Sequence, residues 1–173
     1  MSVTLRTEIL PADLTAMMRW LANPHVSHNL NEHEQITAQL RYLYNARLSV
    51  LTPLFNQGGR FWMIDRTPES PVGFLRAVYG ANQSVEMVIA IGDESLWGQG
   101  LGKQALREAL REIFLEMRRE SIIVHIKHGN TRSHNLFMNS GFSFVAERRE
   151  TTQYRLTLED YLHPGKDDDL FIA

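Results

Sequence analysis

The run Trp97-Gly98-Gln99-Gly100-Leu101-Gly102-Lys103-Gln104-Ala105-Leu106 narrows the folds open to this chain more than any other feature. It is a glycine-rich turn between an apolar, strand-like stretch and the strongest amphipathic pattern in the sequence. After Gly102 the apolar residues fall at 105, 106, 109, 110, 113, 114 and 117 with Arg and Glu between them, which predicts a long helix with one buried face. Upstream, Ser84-Val85-Glu86-Met87-Val88-Ile89-Ala90-Ile91 is rich in β-branched residues and predicts a strand. Without Cβ atoms at 98, 100 and 102, the turn leaves the first N–H groups of the helix uncovered. Such a turn receives a phosphate or pyrophosphate, helped by the positive end of the helix dipole at roughly 0.3–1 kcal/mol when exposed. Two familiar nucleotide motifs do not fit. A P-loop requires G-x-x-x-x-G-K-[ST], and Gln104 stands where its hydroxyl would be. A dinucleotide fingerprint requires G-x-G-x-x-G and an acid closing the next strand, whereas this turn is G-x-G-x-G and that strand ends in Lys127-His128.

The rest of the chain is consistent with one α+β domain around that unit. Its 173 residues suit a single domain, and 43% apolar with 22% charged residues excludes a disordered chain or a coiled coil. A formal charge of -2 supplies no bulk attraction to nucleic acid or an anionic membrane, which favours a small-molecule partner. The absence of cysteine removes disulfides, zinc ribbons, iron–sulfur clusters and thiol nucleophiles. No metal site is expected, because the spacing of His125 and His128 sends their side chains to opposite faces. The first ten residues alternate where a signal peptide would need an apolar run, and no stretch is long enough to span a membrane, so a cytoplasmic location is expected.

Along the chain, residues 2–9 alternate like a strand, and Pro11 with Asp13 opens a helix carrying Leu14, Met17, Met18 and Leu21, which Asn23-Pro24 should end. Residues 24–30 are expected as a loop. Asn31 and Glu34 resemble a capping box for a second helix reaching about Leu48. Three Val/Ile/aromatic runs from Arg60 predict an antiparallel meander. After the long helix come a strand at SIIVHIK, a short helix at 131–139 closed by Gly141, and a final strand pair. The expected order is β, α, α, β, β, β, α, β, α, β, β in one domain, 1–173, with 164–173 as a flexible tail that includes Asp167, Asp168 and Asp169.

Four stretches together resemble the GNAT superfamily of acetyl-CoA-dependent N-acetyltransferases, in its RimJ/RimL-like branch. The turn from Trp97 to Gly102 is similar to the family's acyl-CoA motif R/Q-x-x-G-x-G/A, with the Trp that often opens it in this branch. Residues 84–91 look like the family's fourth strand, whose backbone pairs with the pantetheine arm. Asn130-Thr131-Arg132-Ser133 with Phe137 and Gly141-Phe142 resembles the pattern N-x-x-S ending in Y-x-x-x-G-F. Trp20-Leu21-Ala22-Asn23-Pro24-His25-Val26 resembles the opening helix and loop.

The resemblance implies a mixed, mostly antiparallel sheet of about six to seven strands flanked by about four helices. It also implies transfer of an acetyl group from acetyl-CoA to a primary amine of a small molecule or protein N-terminus, and it allows a homodimer. Cofactor binding is then expected at the strand edge Ile89, Ala90 and Ile91, and at the turn Trp97, Gly98, Gln99, Gly100, Leu101, Gly102 and Lys103. Asn130, Ser133 and Phe137 complete the set. Glu86 is the expected base, its pKa raised by partial burial. His25, His28 and His33 fall in the helix-loop-helix that would border the amine substrate, where they fit equally well as surface histidines. One departure matters: the family's tyrosine is Phe137 here, which cannot protonate a thiolate. Ser133, one turn earlier on the same helix face, is the substitute proton source, with His134 or a water as further options. The missing phenol also motivates a different reading, a module that binds acyl-CoA without turnover.

Overall fold

The three β-rich runs in the middle of the chain become β2 (Gly59–Thr67), β3 (Ser70–Tyr79) and β4 (Ser84–Ile91), paired antiparallel in sequence order as expected. In the computed structural model, which describes residues 2–31 and 33–165, they form the centre of a larger sheet. β1 (Thr4–Arg6) lines the outer edge of β2, and β5 (Ser121–Lys127) runs parallel to β4. β7 (Thr151–Thr157) inserts between β5 and the edge strand β6 (Ser143–Glu147). The result is a seven-stranded, mostly antiparallel sheet in the order β1-β2-β3-β4-β5-β7-β6.

The four expected helices are α1 (Pro11–Leu21), α3 (His33–Asn45), α5 (Leu101–Arg111) and α6 (Thr131–Met138). Three short ones were not foreseen: α2 (Pro24–Ser27), α4 (Thr52–Phe55) and α7 (Leu158–Leu162). The segment expected as a loop at 24–30 therefore begins with a helical turn. Asn23 accepts from the His25 N–H and Pro24 occupies the first helical position, where its missing N–H costs nothing. The expected capping box at Asn31 and Glu34 is not formed: α3 starts at His33, and the Asn31 side-chain amide instead donates to the β5 carbonyl of His125 at 3.1 Å. The helix after Gly102 is longer than its α-helical part and continues through a π turn, Glu112–Glu116. Within the expected tail only Pro164 and Gly165 are described; the three aspartates lie outside the described residues.

Two cores sandwich the sheet. Leu101, Ala105, Leu106, Ala109 and Ile113 of the α5 segment pack on Val85, Met87, Val124 and Ile126. On the other face Leu14, Met17, Trp20 and Leu40 pack on Met63, Phe74 and Ala90. Arg6 ties β1 to this second layer, with Nε 2.7 Å from Asp65 and Nη1 2.9 Å from Asp13, both carboxylates being 3% exposed. The hydrogen bond to Asp13, more than that to Asp65, holds the guanidinium above its ordinary pKa against the opposing effect of burial. Among the described residues no helix is long and apolar enough to cross a membrane.

The sheet opens in its middle. β4 and β5 pair only over Ser84–Glu86 and Ser121–Ile123, although β4 continues to Ile91 and β5 to Lys127. Hydrogen-bond phase shows which groups this wedge exposes. Gly80 N–H donates to Ser84 O and Gly92 N–H to Val72 O, so the even-numbered residues of β4 bond to β3. The C=O of Met87 and the N–H and C=O groups of Ile89 and Ile91 therefore face β5 across the gap, the Met87 N–H being taken up by the last paired rung. By the same phase rule, with His128 N–H donating to Glu150 O, the backbone groups of His125 and Lys127 face β4.

Candidate active site

The wedge broadens into a cavity of about 540 Å³ reached from both faces of the sheet. One wall is β4 from Met87 to Ile91, the other β5 at Val124, His125 and Ile126. The two strand edges are chemically unlike. On β5 the carbonyl of His125 accepts from Asn31, and that of Lys127 lies 3.1 Å from His134 Nε2. On β4 the carbonyl of Ile91 accepts from Trp97 Nε1 at 2.8 Å. Ile89 presents an open peptide unit, and Met87 its carbonyl, since the Met87 N–H belongs to the last paired rung, Glu86 with Ile123.

These results refine the expected edge. Ile89, Ala90 and Ile91 all line the cavity, but only Ile89 offers it a free peptide unit, since Ala90 bonds toward β3 and Ile91 is capped by Trp97. The glycine turn forms the end of the same cavity, with Trp97, Gly98, Gly100, Leu101, Gly102 and Lys103 on its wall. Gly100 is the N-cap of α5 at φ 79°, and Gly98 has φ 77°. A Cβ at either position would meet no atom within 4 Å, so the space above the turn is open. The first intrahelical bond runs from Gln104 N–H to Gly100 O, which leaves the N–H groups of Leu101, Gly102 and Lys103 without a helical acceptor. That arrangement suits a doubly charged pyrophosphate. Gln99 departs from expectation: it lies off the cavity wall, and its side chain donates back to Ser95 O at 2.8 Å.

The third side is the start of α6. Asn130 caps this helix by accepting from Ser133 N–H at 3.3 Å, so its side chain is structural while the residue lines the cavity. Ser133 and Phe137 share the wall, and buried Phe137 packs edge-on against Phe142. Arg132 lies 3.5 Å over the Trp97 ring and so links α6 to the glycine turn. His134 is removed as a proton source. Because Lys127 O can only accept, Nε2 carries the ring proton and Nδ1 accepts from Tyr154 Oη at 2.8 Å.

Glu86 also differs from expectation. It is exposed rather than partly buried, sits in the last paired rung before the wedge, and does not line the cavity. The opposite entrance is formed by the segment from α2 to α3, through His25, Val26, Asn29, Leu30 and Asn31. His25 Nδ1 is 2.8 Å from Glu94, whose carboxyl is held below its ordinary range by the Asn23 amide first and His25 second. Sequence reasoning missed the β5 wall. The signal was present in SIIVHIK, whose alternation fixes two faces, but nothing local says that the strand parts from its neighbour. No group of three or more His, Asp or Glu converges as a metal site among the described residues.

The family model described as the acetyltransferase (GNAT) domain matches residues 3–143. The chain belongs to the GNAT acetyltransferase family. Solved structures share this fold at low sequence identity. AAC(6')-Ib in complex with paromomycin and acetyl-CoA is 17% identical with a TM-score of 0.74, covering 96% of this chain and 99% of that one. The spermidine N-acetyltransferase from Vibrio cholerae in complex with CoA and spermine is 17% identical with a TM-score of 0.71, covering 93% and 98%. A domain from Methanocaldococcus jannaschii is 20% identical with a TM-score of 0.69, covering 90% and 98%. Among curated proteins no match was found.

Proposed function

We propose that this GNAT protein, of the RimJ/RimL-like branch, moves the acetyl group of acetyl-CoA onto a primary amine held at the α2–α3 entrance. The observation that carries the reading is the continuity of two features in one cavity: the open peptide unit of Ile89 with the Met87 carbonyl beside it, and the uncovered amides of residues 101–103. When bound, acetyl-CoA supplies an activated acyl thioester. The chain would position it by strand-like bonding along β4, by the turn at Gly98–Lys103, and by packing on Phe137. A second cavity of about 810 Å³ shares Gly100 and Lys103 with the first and runs along Gln104 and Arg107. Its basic lip suits the phosphorylated, nucleotide end of the cofactor. Ser133 is the side chain placed to return a proton to the departing sulfur, in place of the phenol that Phe137 lacks.

Two experiments test the reading. Calorimetry with acetyl-CoA measures binding at the wedge, and release of free CoA thiol measures transfer. Spermine and paromomycin, the amines held by the solved neighbours, head a panel that also contains a peptide with a free N-terminus. The expected result is tight binding and amine-dependent thiol release. Binding without release from any amine would leave the acyl-CoA-binding module, which the missing phenol favours.

A further inference from the structure

We infer that His125 is the general base that takes the proton from the substrate ammonium, an inference that rests on the transfer reading above. Strand phase places it. Val124 and Ile126 are buried against α5, so the His125 side chain leaves the opposite face of β5, toward α1 and α3. The next side chain in that row is Lys127, whose Nζ donates to His28 O at 2.7 Å, which shows that the row is directed at the α2–α3 segment. In register, Glu86 pairs with Ile123, so two residues further along each strand Val88 and His125 stand across the open wedge. The half-buried imidazole thus lies at the junction of the thioester groove and the amine entrance.

The other ionisable groups on the described cavity wall are already committed. His25 Nδ1 is hydrogen-bonded to Glu94, Arg132 is stacked on Trp97, and Lys103 is at the N-terminus of α5. Among the described residues no hydrogen bond engages the His125 ring. The titratable and charged groups that register and the cavity wall bring near it are Lys127 on its own strand, Glu86 on β4 and Arg155 on β7, both paired with Ile123, Arg148, which donates to its β7 partner Gln153, and His25 on the shared wall. Glu86, the rival base, is exposed and off the wall.

The step balances without another reactant. The ammonium gives one proton to the imidazole, and the freed lone pair forms the N–C bond to the thioester carbonyl. The C–S bond breaks with its electron pair on sulfur. The second proton leaving nitrogen protonates that sulfur by way of Ser133 or water, and the imidazolium returns its proton to solvent.

The test is the pH dependence of kcat/KM, measured by thiol release with the fastest amine of the panel and repeated with an amine of different basicity. An acid limb common to both amines belongs to the enzyme. His125→Gln should lower kcat/KM by at least about 100-fold and abolish that limb, with acetyl-CoA affinity unchanged in calorimetry. Added imidazole should restore turnover to His125→Ala, which a purely structural histidine would not allow. If His125→Gln stays within about threefold of wild type, or if the limb vanishes in Glu86→Gln and persists in His125→Gln, the assignment is overturned. Wild-type protein that binds acetyl-CoA and releases no thiol with any amine overturns the transfer reading itself, and the base with it.

Discussion

Replacing Gly100 separates the cost of backbone strain from the loss of an anion site. Gly100 sits at φ 79° as the N-cap of α5, and a Cβ there would point into open space. Gly100→Ala therefore meets no clash and suffers only the left-handed backbone penalty, about 1–2 kcal/mol. In a chain of this size that lowers Tm by roughly 2–8 °C. Gly100→Glu carries the same strain, and in addition fills the open space with a carboxylate where a pyrophosphate would lie. Losing two charge-assisted hydrogen bonds of roughly 1.5–3 kcal/mol each removes about 3–6 kcal/mol, or about 150- to 20,000-fold in acetyl-CoA affinity. Thermal melts and calorimetry on the two variants side by side read both quantities. The reasoning is refuted if Gly100→Glu melts with Gly100→Ala yet binds acetyl-CoA within about threefold of wild type, since the turn would then hold no phosphate.

Arg6→Met should be severely destabilising, because it strands two buried carboxylates, Asp13 and Asp65, at a cost of about 3–5 kcal/mol. Urea denaturation should show the midpoint shift; an unchanged midpoint would mean that the cluster contributes no net stability. Glu94 yields a pH prediction: its folded carboxyl is depressed by Asn23 and His25, so the stability it adds is present above the ordinary carboxylate range and lost as pH falls through the depressed value. The stability difference between wild type and Glu94→Gln should therefore be largest near neutrality and close on the acid side, and a difference that grows with acidification would contradict it.

Much of the architecture was legible because it is local. The seven-residue apolar series after Gly102, the proline at position 11 and the Val/Ile runs each act over a few residues, and each became the expected element. The turn was equally readable, since glycines at 98 and 100 are needed where φ is positive, whatever lies elsewhere. Three things escaped for a common reason. The parting of β4 from β5, the exposure of Glu86 and the commitment of both His134 nitrogens depend on residues many positions apart. Glu86 misled because an acid among apolar neighbours suggests burial, whereas strand phase and the end of the β4–β5 pairing leave it in solvent. Nothing in the spacing of His125 and His128 points to the cavity wall, because the place of His125 depends on the parting of β4 from β5 and on the row it shares with Lys127.

The narrow seam between the halves of the sheet has a consequence for how the protein is handled. Four strands on one side and three on the other are stitched by three residue rungs, Ser84–Glu86 with Ser121–Ile123. A molecule lodged along Met87 and Ile89 acts as the missing strand of that seam, so its affinity is added to the cohesion of the whole fold. At a free concentration 100 times Kd the gain is about 2.7 kcal/mol. Melting temperature then becomes a gauge of occupancy that needs no amine and no turnover. Ligands that lodge in the seam can be ranked by heating alone, before any acceptor is known.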